Sequence, residues 1–170
     1  MRTSRRHAVR RVSLVAVLFA ALLGAAIASA SGGTKVGTHQ TDRGKVLANR
    51  HGFSLYMFKK DKQHGKSSCY RQCATAWPPL LTSGKPVAIK GSGVNGKMLG
   101  TTRRNDGRRQ VTYNGYPLYL YAPDSKAGDA NGEGFVQFGA AWFLLNTRGN
   151  PVKCPQGEKA SSSGCLPGGY

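Results

Sequence analysis

The fold of this chain is decided by a ten-residue stretch that occurs twice. Residues 52–61 read Gly-Phe-Ser-Leu-Tyr-Met-Phe-Lys-Lys-Asp, and residues 115–124 read Gly-Tyr-Pro-Leu-Tyr-Leu-Tyr-Ala-Pro-Asp. A shift of 63 positions aligns the two copies over residues 44–65 and 107–128. The identical pairs are Gly44/Gly107, Gly52/Gly115, Leu55/Leu118, Tyr56/Tyr119, Asp61/Asp124 and Gly65/Gly128. Such a period is longer than that of common solenoid repeats, so the sequence indicates a duplicated half-domain.

Both copies have the patterns of β-strands. Residues 53–58 alternate Phe53, Leu55 and Met57 with Tyr56 and Phe58, so this strand is expected either to be covered on both faces or to expose one face for binding. Asp-Gly and Asn-Gly turns separate residues 98–104, 108–113 and 116–121, which predicts a three-stranded meander that leads into the second copy. Residues 142–145 are predicted to form a buried strand.

The predicted fold class is therefore all-β. We expect two tandem copies of a small antiparallel unit, packed as one compact domain and stapled by disulfides. The chain divides into a signal peptide (1–30), a flexible polar lead (31–43), the first repeat (44–106), the second repeat (107–146) and a loop-like, Cys-containing tail (147–170).

The first thirty residues have the parts of a secretory signal peptide. Five arginines without an acid precede 17 uncharged residues (12–28), and Ala28-Ser29-Ala30 fits a cleavage site. The alternative is an uncleaved anchor, although 17 Ala-rich residues are short for a bilayer. We expect a secreted or cell-envelope protein with no transmembrane segment after cleavage.

The exported part is strongly basic. The whole chain has a net charge of +18, and loss of residues 1–30 leaves 20 basic and 7 acidic residues, a net charge of +13. Such a charge attracts polyanions. Outside the cytoplasm, the expected partners are anionic cell-wall polymers or anionic lipid headgroups, and nucleic acid is not expected. The alternative is a charge that serves solubility alone.

All four cysteines, Cys69, Cys73, Cys154 and Cys165, lie in the exported part. An even number in an oxidising compartment predicts two disulfides. Three connectivities are possible, and the short separations favour Cys69–Cys73 and Cys154–Cys165. A metal site built from Cys69, Cys73, His51 and His64 is the alternative, but Cys-x3-Cys without a second ordered ligand pair is a weak metal motif.

A family resemblance rests on a motif that both copies share, Tyr-x-aromatic-x-x-Asp. Its members are Tyr56, Phe58 and Asp61 in the first copy and Tyr119, Tyr121 and Asp124 in the second. Together with the Ser68–Ala74 and Trp77–Leu80 segments, this motif resembles the bacterial secreted-repeat family, also described as predicted lipoproteins with a Yx(F/W/Y)xxD motif. The resemblance covers about residues 44–146, and it implies export and no assigned biochemical function. The chain departs from the family in lacking a lipobox cysteine and in adding the pair Cys154 and Cys165.

The signature residues have a structural and a functional interpretation. In the structural one, the tyrosines pack in the core and the aspartates cap the turns that follow the strands. In the functional one, the Tyr and Asp of each repeat form a polar site, which requires the strand to bend after Phe58 or Tyr121.

Two further clusters are candidate sites. One cluster lies on both sides of a hairpin turn and consists of Arg103, Arg104, Arg108 and Arg109. It is a candidate polyanion-binding site. The alternative is a group of solvated charges that protects the edge of a sheet. Asp129, Asn131 and Glu133 resemble the start of a calcium loop, although Ala140 stands where the last ligand belongs. A turn of small polar residues is the alternative.

The sequence contains no catalytic constellation. Neither a metalloprotease nor a serine-hydrolase motif occurs, and no cofactor is expected. We therefore expect a non-enzymatic binding or structural protein. The alternative is a metal-binding or redox envelope protein that uses the Tyr- and Cys-rich repeat.

Overall fold

A computed structural model describes residues 32–154, 158–161 and 164–167. Their strands are β1 (Lys35–Thr41), β2 (Gly44–Asn49), β3 (Tyr56–Phe58), β4 (Val87–Ala88), β5 (Leu99–Arg103), β6 (Arg109–Tyr113), β7 (Tyr116–Pro117), β8 (Val136–Gln137), β9 (Ala140–Leu144), β10 (Glu158–Ser161) and β11 (Gly164–Pro167). One short helix, α1 (Gln72–Ala76), and one 3-10 turn (Gly96–Met98) complete the described elements. The predicted signal peptide, residues 1–30, lies outside the described residues.

The strands form small sheets, as the sequence predicts. The three-stranded sheets have the orders β2-β1-β4, β3-β9-β8 and β5-β6-β7, and β10 pairs with β11. Within these sheets, every pairing between described strands is antiparallel except the short one between β1 and β4. The predicted meander is present as β5-β6-β7, although its third strand ends at Pro117. The all-β fold class is confirmed.

The lead was expected to be flexible, and this expectation is wrong. Residues 35–41 form β1, which pairs with β2 along its length, from Val36↔Asn49 to Thr41↔Gly44. A shift of 63 positions places β1 over β5, so β1 is the first strand of the first repeat. Its sequence, Lys-Val-Gly-Thr-His-Gln-Thr, hides this role because Val36 is its only large apolar residue.

The tail is also more ordered than predicted. Strands β10 and β11 form an antiparallel hairpin, with Ser161 opposite Gly164. The N–H of Ser161 donates to the carbonyl of Gly134 at 3.0 Å, which attaches the hairpin to the second repeat.

The central strand segments of the two repeats are interleaved. Tyr56 and Tyr119 exchange two backbone hydrogen bonds of 2.9 Å across a local twofold axis. On its other side, Tyr56 pairs with Leu144 of the second repeat, and Tyr119 pairs with Pro79 of the first. Each repeat therefore places its central segment between two segments of the other, so neither can complete its hydrogen bonding alone.

The core has two layers, one on each face of this central region. Leu55, Met57 and Leu118 lie in one cluster of buried residues. Tyr56, Phe58 and Tyr119 lie in the other. The alternation along residues 53–58 thus sends neighbouring side chains to opposite layers, and the strand is covered on both faces. None of the described helices is long and apolar enough to cross a lipid bilayer.

Candidate functional site

The signature tyrosines and aspartates form two buried hydrogen bonds, and each bond joins one repeat to the other. The hydroxyl of Tyr56 donates to Asp124 Oδ2 at 2.7 Å. The hydroxyl of Tyr119 donates to Asp61 Oδ2 at 2.5 Å. The sequence interpretation, which paired Tyr and Asp within a repeat, missed this exchange. The local twofold axis between Tyr56 and Tyr119 sends each ring toward the turn of the opposite copy.

The second oxygen of each aspartate holds the loop that follows it. Asp61 Oδ1 accepts from both the backbone N–H (2.8 Å) and the hydroxyl (2.7 Å) of Ser68. Asp124 Oδ1 accepts from both the backbone N–H and the side-chain amide of Asn131, each at 3.1 Å. In both repeats the partner is seven residues further along the chain. The aspartates therefore cap the turns that follow the strands, and each cap spans seven residues.

Four aromatic rings form a stack that follows the same symmetry. Trp77 and Trp142, one from each repeat, lie 4.0 Å apart at an interplanar angle of 3°. Phe58 stacks on the outer side of Trp142 at 4.0 Å, and Tyr121 stacks on Trp77 at 4.2 Å. Each signature aromatic therefore contacts the tryptophan of the opposite repeat. The aromatic residue of the Tyr-x-aromatic-x-x-Asp motif, Phe58 or Tyr121, therefore serves to pack the two repeats together.

The electrostatics of the exchanged pairs keep the tyrosines protonated. Burial raises the pKa of the Tyr56 and Tyr119 hydroxyls, and the negative charge of the aspartate partner raises it further. Burial also raises the pKa of Asp124, against the lowering effect of the hydrogen bonds from Tyr56 and Asn131. Because these groups are buried and already bonded to one another, we interpret the pairs as structural.

Arg104 does not belong to a surface patch. Its residue is 2% exposed. The guanidinium donates to Ser67 Oγ at 2.8 Å, to Gln110 Oε1 at 2.6 Å and to the carbonyl of Cys69 at 2.7 Å. Ser67 Oγ also lies 2.8 Å from the Tyr119 hydroxyl, so Arg104 extends the network around the Tyr119–Asp61 pair. The prediction that all four arginines form one exposed cluster at the hairpin tip is therefore wrong for Arg104, which is buried.

The other three arginines are exposed but differ in their partners. Arg108 forms a 2.7 Å ion pair with Asp106, whose pKa is lowered mainly by this hydrogen bond. Arg103 and Arg109 are direct cross-strand neighbours in the β5–β6 ladder. One nitrogen of Arg109 donates to Thr101 Oγ1 at 3.2 Å.

The predicted Cys69–Cys73 disulfide is present, and its Cα atoms are 5.2 Å apart. A sulfur in a disulfide is not a thiolate, so these two residues cannot ligate a metal while the bond is intact. Cys154 is also disulfide-bonded. The side chain of Cys165, its predicted partner, lies outside the described residues.

The calcium candidates do not converge on one point. Asp129 Oδ2 accepts from the backbone N–H groups of Ser125 and Lys126, and Asn131 bonds to Asp124. Glu133 is buried, and its Oε2 accepts from the N–H of Leu144 at 2.6 Å. Burial raises the pKa of Glu133 to about 8. Over the residues that the structure describes, no group of three His, Cys, Asp or Glu side chains could hold a metal ion.

Two groups of basic residues were missed by the sequence interpretation. The first is residues 59–66, which we call the lysine loop, with exposed Lys59, Lys60, Lys62 and Lys66. The second is the turn that carries Arg50 and His51. Both could have been found by asking where the two copies differ in charge, rather than only where they agree.

The fold and the exchanged pairs define a duplicated β protein in which two copies of an aromatic repeat complete one another. The chain belongs to the family described as a secreted repeat of unknown function. The family model matches residues 37–81 and 100–146, more than half of the chain. This finding confirms the resemblance, the tandem repeat and, broadly, an extracytoplasmic location. No curated protein and no solved structure matches the chain.

Proposed function

We propose that the protein is a non-enzymatic binding protein of the cell envelope, and that it attaches to an anionic cell-wall polymer through exposed lysines and arginines. The observation that carries this proposal is the segregation of charge. The side chains of the signature residues already bond or pack inside the fold. The acidic side chains are buried or paired, whereas most lysine and arginine side chains face solvent. The surface therefore has a strong positive potential with little internal compensation.

Each acidic residue has a partner within the chain or is buried. Asp61, Asp124 and Glu133 lie in the interior. On the surface, Asp42 lies 3.3 Å from Arg43, Glu158 lies 3.9 Å from Arg43, and Asp106 is paired with Arg108. Asp129 accepts three hydrogen bonds from Ser125 and Lys126. The exposed lysines thus remain available to an external anion.

The lysine loop is the first contact that we propose. It reads Lys-Lys-Asp-Lys-Gln-His-Gly-Lys, whereas the aligned residues 122–129 read Ala-Pro-Asp-Ser-Lys-Ala-Gly-Asp. Both loops keep the buried aspartate, and its N–H closes the same turn by donating to the carbonyl of Phe58 in one copy and of Tyr121 in the other, so the fold needs that position. The fold does not need the lysines at positions 59 and 60, because the second copy closes the same turn with Ala122 and Pro123. Their presence in the first copy therefore favours a role in binding.

The cross-strand arginines are the second contact. Arg103 and Arg109 occupy directly opposite positions, where like charges destabilise a sheet by a few tenths of a kcal/mol or more. A phosphate group placed between two guanidinium groups removes this repulsion and accepts bidentate hydrogen bonds. Neither residue forms an ion pair with a described acid.

The proposal is tested by co-sedimentation of the full chain with purified cell wall, before and after chemical removal of its anionic polymer, over a range of salt concentrations. Binding is expected at low salt, to disappear at high salt and to depend on the polymer. Two variants remove the proposed contacts: Lys59, Lys60, Lys62 and Lys66→Gln, and Arg103 and Arg109→Ser. In analogy to other polyanions, the slope of log affinity against log salt falls by about one for each phosphate that the variant no longer neutralises.

The matched control changes four other exposed lysines, Lys45, Lys85, Lys90 and Lys97→Gln, which gives the same net charge as the lysine-loop variant. It is expected to bind more tightly than that variant. Absence of wild-type binding, or an equally weakened control, would refute the proposal. Binding to anionic vesicles but not to polymer-bearing wall would instead identify lipid headgroups as the partner and overturn the choice of polymer.

A further inference from the structure

A basic groove lies at the start of the first repeat, and none of the residues of the two proposed polymer contacts lines it. It consists of two adjacent hollows of about 440 Å³ and 330 Å³ that share Asn49, Arg50 and His51 in their walls. The first is also lined by Lys35, and the second by His39. None of the residues that line either hollow is acidic. Hollows of this size match the lower range of small-molecule sites.

One wall of the groove is rigid because its backbone is anchored. Gly33 lies so close to the carbonyl of Lys85 that a Cβ atom there would stand 1.5 Å from the oxygen. The hydroxyl of Thr34 donates to the carbonyl of Leu81 at 2.7 Å, and its N–H donates to Thr82 Oγ1 at 3.1 Å. The segment before β1 is thus held against the rest of the fold.

The opposite wall is the Asn49–Phe53 turn, and its side chains are also positioned. Asn49 Oδ1 accepts the N–H groups of His51 (2.9 Å) and Phe53 (3.1 Å), so its Nδ2 remains a donor. Arg50 Nε donates to His51 Nε2 at 2.8 Å, which holds the two side chains against each other. The terminal nitrogens of Arg50 make no hydrogen bond to any described residue.

The second repeat shows that the fold does not require these cations. The positions aligned with Arg50 and His51 are Tyr113 and Asn114. Tyr113 is buried, and its hydroxyl donates to the carbonyl of Thr147 at 2.7 Å. Asn114 Nδ2 donates to the carbonyl of Gly149 at 3.4 Å. One copy therefore uses the turn for packing, whereas the other exposes basic side chains beside a hollow.

We propose that this groove binds the phosphate group of a small polyol or sugar phosphate. The free edge of the Arg50 guanidinium provides bidentate recognition of a phosphate, and Lys35 adds a second permanent positive charge. Asn49 Nδ2 supplies a neutral donor, and the second hollow accommodates the polyol or sugar. This inference goes beyond the proposed function, because it requires one phosphate in a shaped site rather than a polyanion on an open surface.

The test is a titration of the ¹⁵N-labelled full chain with glycerol 3-phosphate, followed by amide chemical shifts. The parallel arms use inorganic phosphate and uncharged glycerol. We expect saturable shifts at residues 33–35 and 49–52, a roughly millimolar dissociation constant, weaker binding of inorganic phosphate and no effect of glycerol. Arg50→Gln is expected to weaken binding about tenfold, as removal of a charge-assisted interaction requires.

Arg148→Gln is the matched control, because Arg148 is an exposed arginine outside the groove, and it is expected to change the affinity less than twofold. Lys35→Gln is a second groove variant and keeps the test decisive if Arg50→Gln fails to fold. Shifts spread over the surface without saturation, or equal affinities of the Arg50 and Arg148 variants, would overturn the inference. The Arg103 and Arg109→Ser variant is expected to retain glycerol 3-phosphate binding while it binds the polymer less tightly, so the two proposals can fail separately.

Discussion

Removal of the Tyr119 hydroxyl is expected to destabilise the whole domain. Tyr119→Phe deletes the 2.5 Å hydrogen bond to Asp61 and the 2.8 Å hydrogen bond to Ser67, while the ring keeps its edge-on packing against Trp142. A hydrogen bond to a charged group contributes about 1.5–3 kcal/mol, and the Asp61 carboxylate stays buried after the change. We therefore expect the free energy of unfolding to fall by about 2 kcal/mol. Each kcal/mol lowers the melting temperature of a domain of this size by roughly 2–8 °C.

The assay is urea unfolding followed by far-UV circular dichroism and by tryptophan fluorescence. Both signals are expected to change in a single shared transition, because the exchanged pairs join the repeats. Tyr121→Phe is the matched control. Tyr121 is also a signature tyrosine with a stacked ring, but its hydroxyl has no hydrogen-bond partner among the described residues. Its change is expected to cost less than about 0.5 kcal/mol.

Equal effects of the two substitutions would refute the structural role of the Tyr119–Asp61 bond. Two separate transitions in the wild-type chain, one for each repeat, would refute the interdependence of the repeats.

Three further outcomes follow from the structure. Arg104→Met is expected to lower the free energy of unfolding in urea by about 2–4 kcal/mol, because it leaves Gln110 Oε1 and the carbonyl of Cys69 without their donor. Arg103→Gln, at the exposed neighbouring position, is expected to change it by less than about 0.5 kcal/mol. Equal losses of stability in the two variants would contradict the hydrogen-bond network around Arg104. Because burial raises the pKa of Glu133 to about 8, the folded chain holds a proton that the unfolded chain has released between about pH 5 and pH 8. Wild-type stability should therefore fall as pH rises through this interval, and Glu133→Gln should flatten the urea-midpoint profile; an unchanged profile would refute the assignment. The parallel Trp77–Trp142 pair at 4.0 Å should give a coupled near-ultraviolet circular dichroism signal, which either single Trp→Phe substitution abolishes if the stack is present in solution.

The strands of the second repeat could be predicted because their signals are local. Asp106-Gly107 and Asn114-Gly115 mark turns whose glycines have φ of +82° and +78°. The Cys69–Cys73 pair was predictable for the same reason, since its members are separated by 4 positions in the sequence. By contrast, β1 has few apolar residues and is recognisable only as the aligned partner of β5.

The exchange of Tyr and Asp between repeats could not be predicted from spacing alone. The sequence shows that Tyr56 and Asp61 recur together, but the same recurrence arises whether they bond within a copy or across the axis. Arg104 presents a similar problem, since four nearby arginines look equivalent in sequence. Only the pairing of β5 with β6 shows that Arg103 faces Arg109 across the ladder, while the buried Arg104 lies just beyond it.

The repeats complete one another through exchanged side chains, and double-mutant cycles test this exchange most directly. Tyr→Phe at position 56 is combined with Asp→Asn at position 124 in one cycle and with Asp→Asn at position 61 in another. The structure predicts a coupling free energy of about 1 kcal/mol or more for Tyr56 with Asp124, and near zero for Tyr56 with Asp61. Coupling within the repeat and none across it would contradict the exchanged arrangement.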